Sequence, residues 1–256
     1  MEHKPRANLQ ATTGGGVSVS ERERQRIADL VAIIPPGDSV LDVGARDGVL
    51  TTKLLPRFRR VVAVDLNPPQ IPGAECRKAN ACDLPFGAQE FDVVACTEVL
   101  EHVPEIELAC SELLRVAREA VVVGVPYRQD LRVGRLTCSQ CGLEQPAYGH
   151  VHGDLDEDRV SELFPGTSIE FHPCGPPRPR TNAASALLMS LAGNPYGGAD
   201  QQEPCIECGA QVARPRLTPR SRALAGLALR LDRVISPEAA PNTWLHAVIH
   251  KNCGAA

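Results

Sequence analysis

Three acids at the ends of three short apolar runs are the first sign of chemistry in this chain. Ser39-Val40-Leu41-Asp42-Val43-Gly44-Ala45-Arg46-Asp47-Gly48 is an apolar run that passes through an acid into a glycine-bearing turn. Arg60 to Leu66 reads RVVAVDL and closes on Asp65, and Asn80-Ala81-Cys82-Asp83-Leu84-Pro85-Phe86 carries the third acid. An acid about 20 residues past a glycine turn is placed to accept from both hydroxyls of a ribose. Glycine in the turn removes the Cβ that would hold the backbone away from a bound nucleotide. A lone acid would read as a helix cap or a solvated loop residue. Three at successive strand ends read as one converging site.

The second constellation is a repeated CxxCG element, Cys138-Ser139-Gln140-Cys141-Gly142 and Cys205-Ile206-Glu207-Cys208-Gly209. Each places two sulfurs on one tight knuckle, and the glycine lets the backbone turn beneath them. Cys138, Cys141, Cys205 and Cys208 together offer four thiolates, a set suited to tetrahedral Zn²⁺ with no open position, hence a structural metal. The competing readings are two pairs of reduced cysteines or a disulfide, and His150 or His152 could replace one sulfur. Cys76, Cys82, Cys96, Cys110, Cys174 and Cys253 lack partner spacing and read as small hydrophobes.

The elements that must hold these groups follow from periodicity. Ser20 and Glu23 form an S-x-x-E capping pattern, and Ile27, Leu30, Val31 and Ile34 recur at helical spacing until Pro35-Pro36-Gly37 stops the helix. Val49, Leu50, Leu54 and Leu55 mark a helix after the glycine turn. Phe91 to Thr97 reads as a fourth strand. Ile106, Leu108, Leu113, Leu114 and Val116 form the helix that leads to a fifth strand, Ala120 to Val125. Beyond it come a helix near Asp156 to Phe164, a strand near 168–172, a Pro-rich tract from Pro173 to Pro179, and an apolar helix near Ala183 to Leu191. A helix starting at Thr218-Pro219 carries Leu224, Leu227, Leu231 and Val234 on one face. Thr243 to Lys251 supplies the last strand.

Taken in order, these segments resemble the class I S-adenosylmethionine-dependent methyltransferases, in the group whose fourth strand runs into an EVLEHVP-like segment, here Glu98-Val99-Leu100-Glu101-His102-Val103-Pro104. The resemblance covers roughly residues 20 to 125. It implies a Rossmann-like, doubly wound seven-stranded α/β sheet with an antiparallel last strand, Trp244 to His250, and here a zinc-stapled C-terminal insertion. It implies S-adenosylmethionine as cofactor, with Asp42, Gly44, Ala45 and Gly48 lining its methionine and ribose side. Asp65 would take the ribose hydroxyls and Leu66 the adenine. Asp83 would accept from the adenine amino group, Leu84 would offer its N–H, and Cys96, Thr97 and Glu98 would border the amino-acid moiety. Arg46 departs from the glycine-rich pattern.

The organisation expected is a mobile tail at 1–19, a cofactor-binding core at 20–126, the zinc-stapled insertion at 127–243 with its sheet strand near 168–172, and the last strand and tail at 244–256. With 27 basic and 31 acidic residues the net charge is −4, which gives no general attraction to nucleic acid. Aromatics are only 4% of the chain, too few for a base-stacking platform. The N-terminal stretch lacks an apolar signal core, and no apolar run reaches membrane-spanning length. The expectation is therefore a cytoplasmic enzyme with a small-molecule acceptor and no nucleic-acid or membrane partner. A methyltransferase acting on RNA or protein, with the zinc module as docking surface, and a non-catalytic cofactor-binding module are the alternatives. A sulfonium methyl is already activated, so a base is needed only when the acceptor must lose a proton. His102 is the candidate for that role, against a purely structural place in the EHVP turn. His150, His152 and Tyr127 are weaker candidates. The arginines between Arg178 and Arg233 read as a solvated basic face or a site for an anion.

Overall fold

The central strands are legible because they are buried on both faces, which demands apolar residues at nearly every position rather than alternation. A computed structural model describes residues 20–197, 204–212, 217–235 and 238–251. The tail at 1–19, Arg214, Arg216 and Cys253 lie outside the described residues. The chain forms two compact units. One comprises Glu21–Gln129, Val151–Arg178 and the segment from Ala240; the other is built on Asp130–His150 and Pro179–Ala239.

The first unit holds a seven-stranded sheet. Helix α1 (Glu21–Ile33) leads into β1 (Ser39–Val43), followed by α2 (Val49–Leu54), β2 (Arg60–Asp65), β3 (Glu75–Lys78) and β4 (Phe91–Thr97). Then come α3 (Ile106–Val116) and β5 (Ala117–Pro126). After residue 150 this unit continues with α4 (Glu157–Leu163), β8 (Ser168–Cys174) and β9 (Trp244–His250). The strand order is β3-β2-β1-β4-β5-β9-β8. β1 pairs in parallel with both β2 and β4, while β9 runs antiparallel to β5 and β8. The sheet is the expected Rossmann-like, doubly wound α/β arrangement with an antiparallel last strand. The order reverses between β1 and β4, which is where such sheets open a crevice at their carboxyl ends.

Because side chains alternate along a strand, the central strands feed two cores. Leu41, Val43, Val62, Val64, Val94 and Cys96 pack with Leu113, Val116, Val160 and Phe164 on one face. Val40, Val61, Val93, Ala95 and Val122 pack with Ile27, Leu30, Leu50 and Leu54 on the other.

The amino ends of β1 and β4 are pinned by one carboxylate. Asp92 Oδ2 accepts from the Asp38 N–H, the Ser39 N–H and the Ser39 hydroxyl, each at 2.9 Å. Arg118 pairs with the other oxygen. Burial alone would raise this carboxyl, but the Ser39 and Asp38 donors and Arg118 outweigh it and hold Asp92 below the usual range.

The second unit contains a small hairpin, β6 (Leu136–Thr137) paired with β7 (Glu144–Gln145), and two helices, α5 (Ala183–Leu191) and α6 (Pro219–Ile235). Asn182 caps α5 by accepting from the Ser185 N–H. The helices pack through small residues: Ser185, Ser221, Ala225 and Ala228 are buried, and the Ser185 hydroxyl donates to the Ala228 carbonyl at 3.0 Å. The α6 stripe of Leu224, Leu227, Leu231 and Val234 only borders the packed face: Leu224 and Leu231 are half-buried, and Leu227 and Val234 are exposed.

Replacing Asp92 by Ala orphans three donors at the start of β1. The expected cost is about 3 kcal/mol, read as a lower guanidinium midpoint at unchanged slope. Asp92→Asn, which keeps an acceptor oxygen, should lose less. Equal stability of Asp92→Ala and the parent would refute the pin.

Candidate functional site

The site is built at the carboxyl ends of β1, β2 and β4, and its backbone comes first. Gly44 and Ala45 both donate to the Val64 carbonyl, at 2.8 and 3.0 Å, so the chain leaving β1 folds across the end of β2. Gly44 has φ +81°, and a Cβ there would stand 2.1 Å from Val99 Cγ2. Gly48 has φ +77°, and a Cβ there would meet Ile71 Cδ1 at 2.4 Å. These two positions require glycine on both counts. Arg46, where the pattern would have glycine, is exposed and sits at φ +45°.

Asp65 fastens that turn. Its Oδ2 accepts from the Arg46 N–H at 2.9 Å and its Oδ1 from the Asn67 N–H at 2.8 Å. Each oxygen keeps a lone pair, so the carboxylate is oriented by the backbone and still able to accept from a diol. Leu66 beside it is exposed, as an apolar wall for a flat ring would be.

Asp42 is buried within β1. Burial lifts its carboxyl to about 6, against the donation from the Thr51 hydroxyl at 2.5 Å, and the charges of Asp65 and Asp47 add to the rise. Asp83 is exposed, in the loop after β3 that closes on the Asn80–Asp83 bridge. Leu84 departs from expectation: its N–H, which the resemblance assigns to adenine, donates to Glu112 Oε2 at 2.9 Å. Cys96 is fully buried, its thiol pushed well up by burial, and its side chain belongs to the core rather than to a ligand surface. Thr97 is half-buried at the strand end.

Beyond β4 the EHVP segment brings in groups that spacing alone does not reveal. Glu98 adopts φ +55°. Burial raises its carboxyl, opposed by Arg26, Arg178 and a hydrogen bond from Trp244. Arg26 of α1 reaches it at 3.9 Å, too long for a hydrogen bond, and lies over the Trp244 ring at 5.8 Å. Glu101 is fully buried, and burial together with Glu98 pushes its carboxyl well up. Arg26 Nη1, Glu98 Oε1 and both Glu101 carboxyl oxygens are buried with no hydrogen-bond partner among the described residues. Orphaned polar atoms of both signs at the end of β4 fit a ligand that carries an amine and a carboxylate. Arg26 and Glu101 were not singled out from the sequence as ligand groups: Arg26 reads as one solvated charge in a polar helix, and Glu101 as part of a turn motif. His102 is exposed at the end of the 3-10 turn Leu100–His102. Tyr127 is engaged by Glu157 at 3.0 Å, and His152 meets the Val103 carbonyl at 2.9 Å.

The four knuckle cysteines come together in the second unit. Their sulfurs all lie within 4.8 Å of one another, with Cys138–Cys208 at 3.6 Å and Cys141–Cys205 at 3.7 Å. All four are free thiols. The knuckles repeat one hydrogen-bond pattern: Gly142 donates to the Cys138 carbonyl and Gly209 to the Cys205 carbonyl, each at 2.9 Å. Gly142 and Gly209 both take positive φ, +76° and +70°. Backbone N–H groups of Cys141 and Gln140 aim at Cys138 Sγ and lower its thiol. Gln145, fully buried, ties the two knuckles by accepting from the Ile206 N–H at 3.1 Å.

Asp42 makes a signed prediction. Its folded carboxyl titrates near 6 against an ordinary 3.8, so the fold is favoured at low pH and loses that contribution as pH rises through about 6. His246, held down to about 4 by burial, Arg26 and His172, works in the opposite sense: its contribution is present above the ordinary 6.5 and is lost as pH falls toward 4. The two nearly cancel in the parent, so the test is a difference. Asp42→Asn should gain on the parent by about 3 kcal/mol at pH 7.5 and by almost nothing at pH 3.5, measured by denaturant melts across pH. A pH-independent difference would contradict the buried carboxyl.

Comparisons with known proteins bear on the family and the fold. Residues 41–123 match the family model described as a methyltransferase domain. An uncharacterized protein of Mycobacterium tuberculosis is 32% identical over 103 residues, 36% of this chain and 38% of that protein. The ubiquinone biosynthesis O-methyltransferase of Hahella chejuensis is 35% identical over 95 residues, 32% of this chain and 40% of that enzyme. The chain thus spans less than half the length of the curated relatives it matches. Among solved structures, one from the complex between the Haloferax volcanii Trm112 methyltransferase activator and a methyltransferase aligns over 92% of both chains. Its TM-score is 0.53 at 14% identity, a likeness of fold alone. The glycine turn, the acid at each of the first two strand ends and the EHVP segment all fall within the matched span, and residues 41–123 are a class I S-adenosylmethionine-dependent methyltransferase domain.

Proposed function

We propose that this protein moves a methyl group from S-adenosylmethionine to a small-molecule acceptor, and that its four knuckle cysteines hold a structural zinc ion. The observation that carries the first part is Asp65: a carboxylate fixed by two backbone donors at the end of β2, with lone pairs left for a ribose diol. The bound sulfonium supplies an activated methyl group, so the protein's task is alignment and exclusion of water.

In this reading Gly44 and Gly48 let the backbone approach the cofactor, and Asp42 and Ala45 border its methionine and ribose side. Leu66 lies against the adenine and Asp83 accepts from its amino group. The Leu84 N–H reaches the ring only after Glu112 releases it. Arg26, Glu98 and Glu101 meet the amino-acid end. His102, exposed beside them, is the side chain assigned to take the proton from an acceptor hydroxyl. The name of the Hahella relative, with its O-methyl acceptor in a small-molecule pathway, supports that acceptor class, as does the scarcity of aromatic residues.

The zinc assignment is supported by the sulfur spacing. Zn–S bonds of about 2.3 Å set tetrahedral S···S edges at roughly 3.8 Å, close to the 3.6 and 3.7 Å separations here. All four positions are filled by protein, so such a metal has no site for substrate and acts on stability.

Two experiments test these parts separately. Titration calorimetry with S-adenosylhomocysteine should give a Kd for Asp65→Ala about 30-fold weaker than the parent's, about 2 kcal/mol for a lost charge-assisted pair. Equal affinity sinks the ribose assignment. Elemental analysis of the purified protein should find zinc, and Cys138→Ser with Cys208→Ser should lose it and melt earlier. A parent without metal and an unchanged melt in the variant would sink the metal.

A further inference from the structure

The α5–α6 pair inverts the usual pattern of helices in water. Its buried contact is made of small residues, Ser185, Ser221, Ala225 and Ala228. The polar groups at that contact satisfy one another: the Thr181 hydroxyl and the Asn182 amide both donate to Asp232, at 2.8 and 3.1 Å. Leu188, Leu224 and Leu231 are half-buried, but several large apolar side chains point away. Leu187 and Leu191, one turn apart on α5, are each 60% exposed, and on α6 Leu227 is 47% and Val234 80% exposed. Leu227 and Val234 sit seven residues apart, so they share one stripe of the helix. A helix pair that encloses its small residues and presents its leucines is the arrangement found where the surroundings are apolar.

Charge gives the surroundings a sign. Arg220, Arg222, Arg230 and Arg233 of α6 are all exposed. The helix has one acid, Asp232, and it is turned inward onto Thr181 and Asn182. α5 carries no charge at all. The outward face is therefore leucine and arginine with no carboxylate of its own. A second copy seated on it by a two-fold axis would set arginine against arginine, which opposes self-association.

We propose that this face seats on an anionic lipid surface, with the leucines in the headgroup boundary and the arginines against the lipid charge. A helix with apolar and basic faces lies in the plane of such a surface. This is compatible with there being, among the described residues, no helix long and apolar enough to cross a membrane. The absence of a spanning segment speaks to crossing, whereas a helix lying in the interface needs none. The proposal does not rest on the cofactor or zinc assignments.

The test is co-sedimentation of the full chain with vesicles of phosphatidylglycerol and phosphatidylcholine, with pure phosphatidylcholine vesicles as the neutral reference. The parent should partition onto the anionic vesicles and be released by salt. Each surface arginine contributes about 5-fold, so Arg230→Gln with Arg233→Gln should weaken partitioning by about 25-fold. Leu187→Ser with Leu227→Ser should weaken it as well. These positions are exposed, so near-UV circular dichroism and melting should match the parent's. Partitioning no greater than onto neutral vesicles, or variants that bind like the parent, would overturn the proposal. So would a lipid-free dimer, seen by sedimentation equilibrium and dissolved by Leu227→Ser, which would reassign the face to a second copy. Equally strong binding to polyglutamate that ignores the leucine changes would reassign it to an acidic polypeptide.

Discussion

The site depends on one residue that serves three pieces of backbone, two through its carboxylate and one through its carbonyl. Asp65 accepts from Arg46 in the turn after β1 and from Asn67 in the loop after β2, and its own carbonyl accepts from Ala79 beyond β3. Three strand ends are thereby set in one register by groups that belong to a single residue. Such a clasp explains why Arg46 tolerates a left-handed backbone without being glycine: the Asp65 bond offsets part of the strain, of order 1 kcal/mol, that a Cβ incurs there.

Around the clasp the domain buries more charge than its fold requires. Asp42, Glu101 and the Arg26–Glu98 pair all sit where water is scarce, and each costs free energy when unmatched. The start of the sheet shows the contrast. Asp92 is also buried, yet its donors satisfy it and its carboxyl stays low. One end of the sheet carries a balanced acid and the other carries unbalanced ones. A ligand bearing an amine, a carboxylate and a diol would restore the balance at the second end, so the strain lies where binding would relieve it.

Much of this was legible in the sequence, for a physical reason. Strands buried on both faces must be written as apolar runs, so β1, β2, β4 and β5 stand out, and the acids and glycines that interrupt those runs mark the ends. The cysteine knuckles stand out because a pair of cysteines three positions apart, repeated, has few other uses. What did not show was anything set by long-range geometry. Arg26 lies more than 70 residues from Glu98, and nothing in an amphipathic helix says which of its charges turns inward. Glu112 capturing the Leu84 N–H depends on how α3 lies over the loop after β3. On α6 the leucine stripe was visible, but helical spacing cannot say whether it faces protein; the buried stripe is the row of Ser221, Ala225 and Ala228.

The sulfur cluster joins chain segments far apart in time as well as in sequence. Cys141 and Cys205 are 64 residues apart, and at roughly 5–20 residues per second the ribosome would deliver the second knuckle several seconds after the first. During that interval the first hairpin has two thiols and no mates, while α4 and β8 are made between them. The discontinuous unit therefore closes late in synthesis, and a nascent chain stalled before residue 205 would present a half-assembled knuckle open to oxidants and stray metals.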